Sequence, residues 1–251
     1  MILGSGTAIP LADRASPGLA LFAGEHPVLF DFGPGTVRQL TRAGIDHTTI
    51  EYIFLTHFHP DHTAGLVHLF FAARNPRILS RRLPFTLFGP AGLVPFIQKL
   101  RAAYEGYIDL PSEMLRLVEL KPAMNTSVIC GNNRISTCRT DHTANSIAYR
   151  IEDDLGKSIV YAGDTAFSDE VIALARGVDL LILEASFPDG SEIPGHLTPS
   201  MAGQMASLAG AKHLLLTHFY PECLETDIAA QCRKTYAGEL TLARDLLTVQ
   251  I

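Results

Sequence analysis

Four side chains able to bind a metal ion stand within six residues in the run His57-Phe58-His59-Pro60-Asp61-His62. The run follows the apolar triplet Tyr52-Ile53-Phe54, which reads as a strand, and precedes a segment of helical spacing that starts near Thr63. In an extended chain, residues two apart point to the same side, so His57 and His59 can chelate one ion together. Asp61 and His62 fall in the turn at the helix start and can face a second ion. Pro60 keeps His59 extended, because its ring crowds the preceding residue out of the helical region. Imidazole and carboxylate without thiolate suit a divalent ion such as zinc, with manganese and iron as alternatives. The first six residues of this region also have an echo. Leu55-Thr56-His57-Phe58-His59-Pro60 is matched at five of six positions by Leu216-Thr217-His218-Phe219-Tyr220-Pro221. Each copy follows an apolar strand, so two strands in related halves of a fold can aim His57 and His218 at one point.

The elements that must hold these groups alternate along the chain. Short apolar runs ending in Gly, Asp or a polar residue predict buried strands over 27–31, 51–56, 85–88, 158–162 and 180–183. Helical spacing covers 35–43, 63–74, 92–104, 169–176 and 199–209, the last with Thr198 as N-cap and Pro199 at its first position. Strands and helices mixed throughout one chain predict a layered α/β domain. Gly and Pro are spread evenly and no linker interrupts the 251 residues, so a single domain over 1–251 is expected. Apolar and aromatic residues make up 47% and charged residues 18%, which excludes a disordered chain. The formal net charge of −6 opposes a surface built to coat nucleic acid. No apolar run is long enough for a membrane span, and the N-terminus lacks the pattern of a secretory signal, so a cytoplasmic location is expected. Cys130, Cys138, Cys223 and Cys232 form no CxxC pair or disulfide framework, which fits a reduced compartment.

The histidine-rich run and its surroundings resemble the metallo-β-lactamase superfamily, whose signature is H-x-H-x-D-H. Further matches fall in that family's order. Thr140-Asp141-His142 resembles its next histidine motif, Tyr161-Ala162-Gly163-Asp164-Thr165 its G-D-T motif, and Leu216-Thr217-His218 its last ligand motif. Gly4-Ser5-Gly6-Thr7 and Asp31-Phe32-Gly33 extend the likeness over nearly the whole chain. The resemblance implies an αββα four-layer sandwich with its site at one edge between the halves. It also implies two divalent metal ions: the first held by His57, His59 and His142, the second by Asp61, His62 and His218, with Asp164 bridging them. His26, His47, His68 and His213 have no such context and are expected to be structural.

Within the superfamily, Phe88-Gly89-Pro90-Ala91-Gly92-Leu93, Glu184-Ala185-Ser186-Phe187 and Gly195-His196-Leu197-Thr198 look most like the ribonuclease Z and related phosphodiesterase group. That likeness implies hydrolysis of a phosphodiester by a hydroxide shared between the metals, with Asp61 orienting it and His196 serving the leaving group. Glu184 either orients a site group or simply ends a strand. The ribonuclease Z arm that grips tRNA would fall between His142 and Asp164, where only 21 residues stand, enough for a strand, a turn at Asp153-Asp154-Leu155-Gly156 and a second strand. The expected substrate is therefore a small phosphodiester or another ester, not tRNA. The basic cluster Arg74, Arg77, Arg81 and Arg82 reads as a solvated loop. Antibiotic hydrolysis is not expected, since zinc β-lactamases carry Cys where this chain has Asp164. Lactones, sulfate esters and thioesters are alternatives for the same centre, as are a mononuclear iron oxygenase and a metal-binding protein without turnover. A homodimer is also plausible from the likeness. Tyr104 and Tyr107 could line such a contact, although core packing is the expectation for them.

Overall fold

The computed structural model describes residues 1–22 and 26–251, and for 123–126 the backbone alone. Two sheets are laid down one after the other along the chain. The first takes β1 (Ile2–Gly4), β2 (Gly18–Leu21), β3 (Val28–Phe30), β4 (Tyr52–Phe54), β5 (Phe85–Pro90) and β6 (Leu115–Leu120) in sequence order. Its first three strands are antiparallel and the pairs from β3 to β6 are parallel. The second takes β7 (Ala123–Cys130), β8 (Asn133–Arg139), β9 (Ile147–Glu152), β10 (Ser158–Tyr161), β11 (Leu180–Glu184), β12 (His213–Thr217) and β13 (Glu239–Leu242). Here β7 to β10 are antiparallel and β10 to β13 parallel. The five strands expected from the sequence are β3, β4, β5, β10 and β11.

Alternation along each strand sorts the side chains into layers. In the first sheet Val28, Phe30, Phe54 and Phe88 turn toward the second sheet, while Leu29, Ile53, Leu55 and Leu87 turn outward. The outward set is covered by α1 (Thr36–Arg42), α3 (Gly65–Ala73) and, after the short α4 (Pro76–Leu79), α5 (Leu93–Ala103), through Leu40, Leu66, Leu69, Phe70, Leu93 and Ile97. On the far side, α6 (Asp169–Leu174) and α7 (Pro199–Ala209) cover the second sheet with Val171, Leu174, Ala202, Met205 and Ala206. The result is the expected α/β sandwich of helix, sheet, sheet and helix layers. Between the sheets lies an aromatic slab. Phe54 stacks on Phe30 at 5.1 Å and on Phe88 at 4.5 Å, with Tyr149 edge-on to Phe30 and Phe54. Such pairs add about 0.5–1.5 kcal/mol each beyond the area they bury. The Tyr149 hydroxyl donates across the interface to the Leu55 carbonyl at 2.5 Å.

Three expectations are revised. The helical segment expected near Thr63 begins earlier, as a short turn α2 (Pro60–Thr63), and α3 resumes at Gly65. Pro60 sits at the first helical position, where its missing N–H costs nothing. Asp61 and His62 thus lie inside the first helical turn and not ahead of it. The arginine cluster is only partly solvated: Arg82 is buried, donates to the His47 carbonyl at 2.8 Å and lies over the Phe85 ring at 4.3 Å. Tyr104 and Tyr107, expected in the core, are exposed. The short link between His142 and Asp164 is as expected. β9 and β10 are joined by a tight turn in which the Asp153 carboxylate accepts from the N–H groups of Leu155 and Lys157 at 3.0 and 2.8 Å. α7 starts as predicted, with the Thr198 hydroxyl accepting from Met201 N–H at 3.4 Å. Among the described residues, no helix is long and apolar enough to cross a membrane.

Candidate metal centre

Four strands deliver the site at their C-terminal ends: β4 leads into His57 and His59, β10 into Asp164, β11 into Glu184 and β12 into His218. This is where α/β sheets gather ligand-binding groups, because the chain there is free of the ladder. α2 carries Asp61 and His62, the loop after β8 carries His142, and His196 stands just before α7. Two glycines allow the close approach this requires. A Cβ on Gly65 would stand 2.3 Å from the Gly33 carbonyl oxygen, so the start of α3 lies directly on the Phe32-Gly33 backbone. Gly163, at φ 62, brings its backbone so near Thr56 that a Cβ would meet that side chain at 2.7 Å.

All seven side chains expected as ligands converge. His57, His59, His142 and Asp164 form one group, and Asp61, His62 and His218 another, with the potential ligand atoms of each within 4.8 Å of one another. Asp164 stands between them. Its Oδ2 lies 3.8 Å from His57 Nε2 and 3.6 Å from His142 Nε2, and its Oδ1 lies 3.2 Å from His62 Nε2 and 3.5 Å from His218 Nε2. His218 Nε2 is also 3.3 Å from Asp61 Oδ2. The expected structural histidines His26, His47, His68 and His213 belong to no such group among the described residues.

The outer nitrogens settle the tautomers. His62 Nδ1 donates to Asp31 Oδ2 at 2.7 Å and His142 Nδ1 to the Gly195 carbonyl at 2.9 Å, since neither oxygen can donate. The Thr56 hydroxyl gives its one proton to the Asp31 carboxylate, at 2.9 and 3.0 Å, and so accepts from His57 Nδ1 at 3.0 Å. The Ser186 hydroxyl gives its proton to Glu184 and accepts from His218 Nδ1 at 3.0 Å. Each of these four imidazoles therefore turns its Nε2 inward, oriented by the kind of outer partner that metal-binding histidines need. The two sheets repeat one device. Asp31 grips His62 directly and His57 through Thr56; Glu184 grips His196 directly and His218 through Ser186.

Two observations test whether a metal fits. His57 Nε2, His62 Nε2 and Asp164 Oδ1 are buried with no hydrogen-bond partner, a cost of about 1–3 kcal/mol each unless something else satisfies them. His142 Nε2 and His59 Nδ1 are hydrogen-bonded to each other at 3.0 Å, so both nitrogens point at the same spot. The donor set is all nitrogen and oxygen, as borderline divalent ions prefer. A metal fits. Electrostatics agree in direction. Burial, with neighbouring imidazoles, lowers His57 and His59, keeping them neutral. Burial alone would raise Asp164, but His218 and His62 hold its carboxyl well below the usual range. Burial would likewise lower His62, yet the Asp164 and Asp31 carboxylates raise it well above its ordinary value, so this spot attracts positive charge.

Residues 26–219 match the family model for the beta-lactamase superfamily domain. The chain belongs to the metallo-β-lactamase superfamily. It is similar over its whole length to ribonuclease Z of Streptomyces avermitilis, 30% identical over 302 aligned positions that cover 100% of this chain and 97% of the relative. Those positions outnumber the 251 residues here, so the relative carries residues this superfamily member lacks. The metallo-beta-lactamase fold protein YhfI from Bacillus subtilis superposes with a TM-score of 0.83 at 25% identity, covering 97% of this chain and 95% of that one. Human tRNase Z, short form, superposes with a TM-score of 0.78 at 28% identity, covering 100% and 98%. The superfamily, the fold and a His/Asp cluster suited to metal together make the chain a metallo-β-lactamase-family hydrolase.

Sequence reasoning did not assign Asp31, Thr56, Tyr161 or Ser186 a part in the site. The signals were faint: Asp31 ends a strand in Asp31-Phe32-Gly33, and Ser186 stands two residues after Glu184. Glu184 both ends β11 and bonds His196 Nδ1 at 3.0 Å.

Proposed function

We propose that this hydrolase is a metal-dependent phosphodiesterase for small substrates. The observation that carries the reading is His196, which stands against Asp164 and His218 at the edge of the cluster with its ring held by Glu184. One of its ring nitrogens lies within 4.8 Å of ligand atoms of both Asp164 and His218, while Nδ1 donates to Glu184. Glu184 is fixed in turn by the N–H groups of Thr165 and Leu197, at 2.9 and 3.2 Å. Burial lowers the basicity of His196, but the Glu184 hydrogen bond and charge outweigh it and raise the group above its ordinary value. An imidazolium so placed serves as general acid.

In this reading His57, His59, His142 and Asp164 would hold one divalent ion, and Asp61, His62 and His218, on the other side of Asp164, would hold a second; zinc would suit the donors, with manganese or iron as substitutes. Such ions, when bound, supply a nucleophile at neutral pH and neutralise charge on the phosphoryl oxygens. The residues do the rest. Asp61 orients the attacking water and accepts its proton. As the bond from phosphorus to water oxygen forms, the bond to the departing oxygen breaks, and His196 Nε2 passes its proton to that oxygen. The tight turn after β9 and the net charge of −6 support a small substrate over a folded RNA.

The test is hydrolysis of bis(4-nitrophenyl) phosphate by metal-loaded protein, with a lactone and an aryl sulfate as comparators. The phosphodiester should be cleaved, His59→Ala should abolish cleavage, and His196→Ala should lower kcat by roughly 10²–10⁴-fold. Metal-loaded protein that leaves the phosphodiester intact refutes the reading.

A further inference from the structure

Beside His196 lies a pair of rings that neither the cluster nor the core uses. Phe187 and Tyr220 stack with centroids 4.7 Å apart and planes 18° from parallel. Both are half-buried, and neither is among the apolar groups packed on the two hydrophobic cores of the described residues. The stack borders the site. His196 is edge-on to Phe187 at 5.7 Å and to Tyr220 at 6.3 Å, and His218 is edge-on to Tyr220 at 5.9 Å. The backbone fixes the pair. Tyr220 N–H donates to the Ser186 carbonyl at 3.2 Å and Phe187 N–H to the Leu197 carbonyl at 3.4 Å, tying the loops after β11 and β12 together. His218, at φ 59, makes the sharp turn that throws Tyr220 to this side.

A rigid pair of aromatic faces next to a general acid has an evident use. A flat ring on the substrate can extend the stack, and its contact area is gained with little loss of side-chain freedom because the rings are already ordered. We propose that the Phe187–Tyr220 stack is a specificity platform for a planar aromatic group, such as a nucleobase, carried on the His196 side of the substrate phosphorus. This rests on the phosphodiesterase reading for the identity of the phosphoryl group, while the preference for a ring can be measured without turnover.

The experiment measures equilibrium binding to the metal-loaded protein by displacement of fluorescent 1,N6-ethenoadenosine 5′-monophosphate. The competitors are adenosine 5′-monophosphate and ribose 5-phosphate, which share a phosphate and differ by the base. The wild-type chain should bind the adenine compound about tenfold or more tightly, the range expected for one stacked base. Tyr220→Phe should keep that ratio, whereas Tyr220→Leu and Phe187→Leu should each bring it within about twofold of unity. Equal binding of the two competitors by the wild-type chain overturns the platform, as does a ratio that survives both leucine variants. The two readings fail separately. Bis(4-nitrophenyl) phosphate cleaved without a base preference removes the platform alone, and a base preference without cleavage removes the reaction alone.

Discussion

Asp31 binds no ion in the proposed scheme, yet more of the site depends on it than on most ligands. Its buried carboxylate accepts from His62 Nδ1, the Thr56 N–H and hydroxyl, and the Tyr161 hydroxyl at 2.8 Å. Asp31→Ala would leave these donors facing an apolar void, so we expect a loss of about 3 kcal/mol of stability. Metal affinity should fall by roughly 10- to 100-fold, since two imidazoles lose their outer anchor. Denaturant unfolding and competition with a metal chelator measure the two effects; a variant with unaltered affinity would remove Asp31 from the site. The reason the sequence conceals this residue is distance along the chain. The four groups of the His57 to His62 run stand side by side and declare themselves, whereas the partners of Asp31 are 25, 31 and 130 positions away. Only folding brings them together, and an aspartate after a strand otherwise looks like an ordinary turn residue. His142, His218 and Asp164 were legible through motif order and, for His218, the echo of the first run.

At the scale of elements, strands and helices with strong periodicity were legible to within a few residues, because alternation reports which face is covered. The misreadings came where a contact overrode a local pattern. Arg82 looks solvated beside three other arginines, but the Phe85 ring and the His47 carbonyl draw it inside. A second polar anchor fastens the start of the parallel strands in the second sheet. Asp179, just before β11, accepts from the Ser158 N–H at 2.9 Å and from Lys212 Nζ at 2.8 Å. The Lys212 hydrogen bond leads in lowering its carboxyl from 3.8 to about 2. A carboxyl lowered in the folded state stabilises above its ordinary value and ceases to do so as pH falls. Asp179→Asn should therefore cost about 1 kcal/mol at neutral pH, a modest figure because Lys212 is exposed to solvent. The difference between variant and wild type should shrink as pH drops from 3.8 through about 2, which acid unfolding curves for the two proteins test.

Over the whole molecule, all four cysteines are buried and unpaired. Burial pushes the thiols of Cys130 and Cys232 up to about 11 and those of Cys138 and Cys223 up to about 12. Native protein at pH 8 should therefore resist iodoacetamide, and unfolded protein should take up label at every cysteine, as mass spectrometry would count. Because unfolded thiols ionise first, stability should decline as pH rises above 9 toward those values. Labelling of the native chain at the unfolded rate would contradict this packing.

The order of the two sheets along the chain has one more consequence. The first sheet closes with β6 at Leu120, the second opens with β7 at Ala123, and exposed Lys121 lies between them. His57, His59, Asp61 and His62 fall before that point; His142, Asp164, His196 and His218 fall after it. The halves are rejoined across the interface by backbone bonds between Ile2 and the segment Leu246-Leu247, and by Asp245 accepting from Ser5. Neither fragment holds all seven of the converging side chains, and in the proposed scheme Asp61 and His196 are parted from each other. Under the proposed function a chain cut at Lys121 should therefore be silent in both pieces, and recovered turnover on mixing them would report that the two fragments have found each other, a built-in sensor of coincidence.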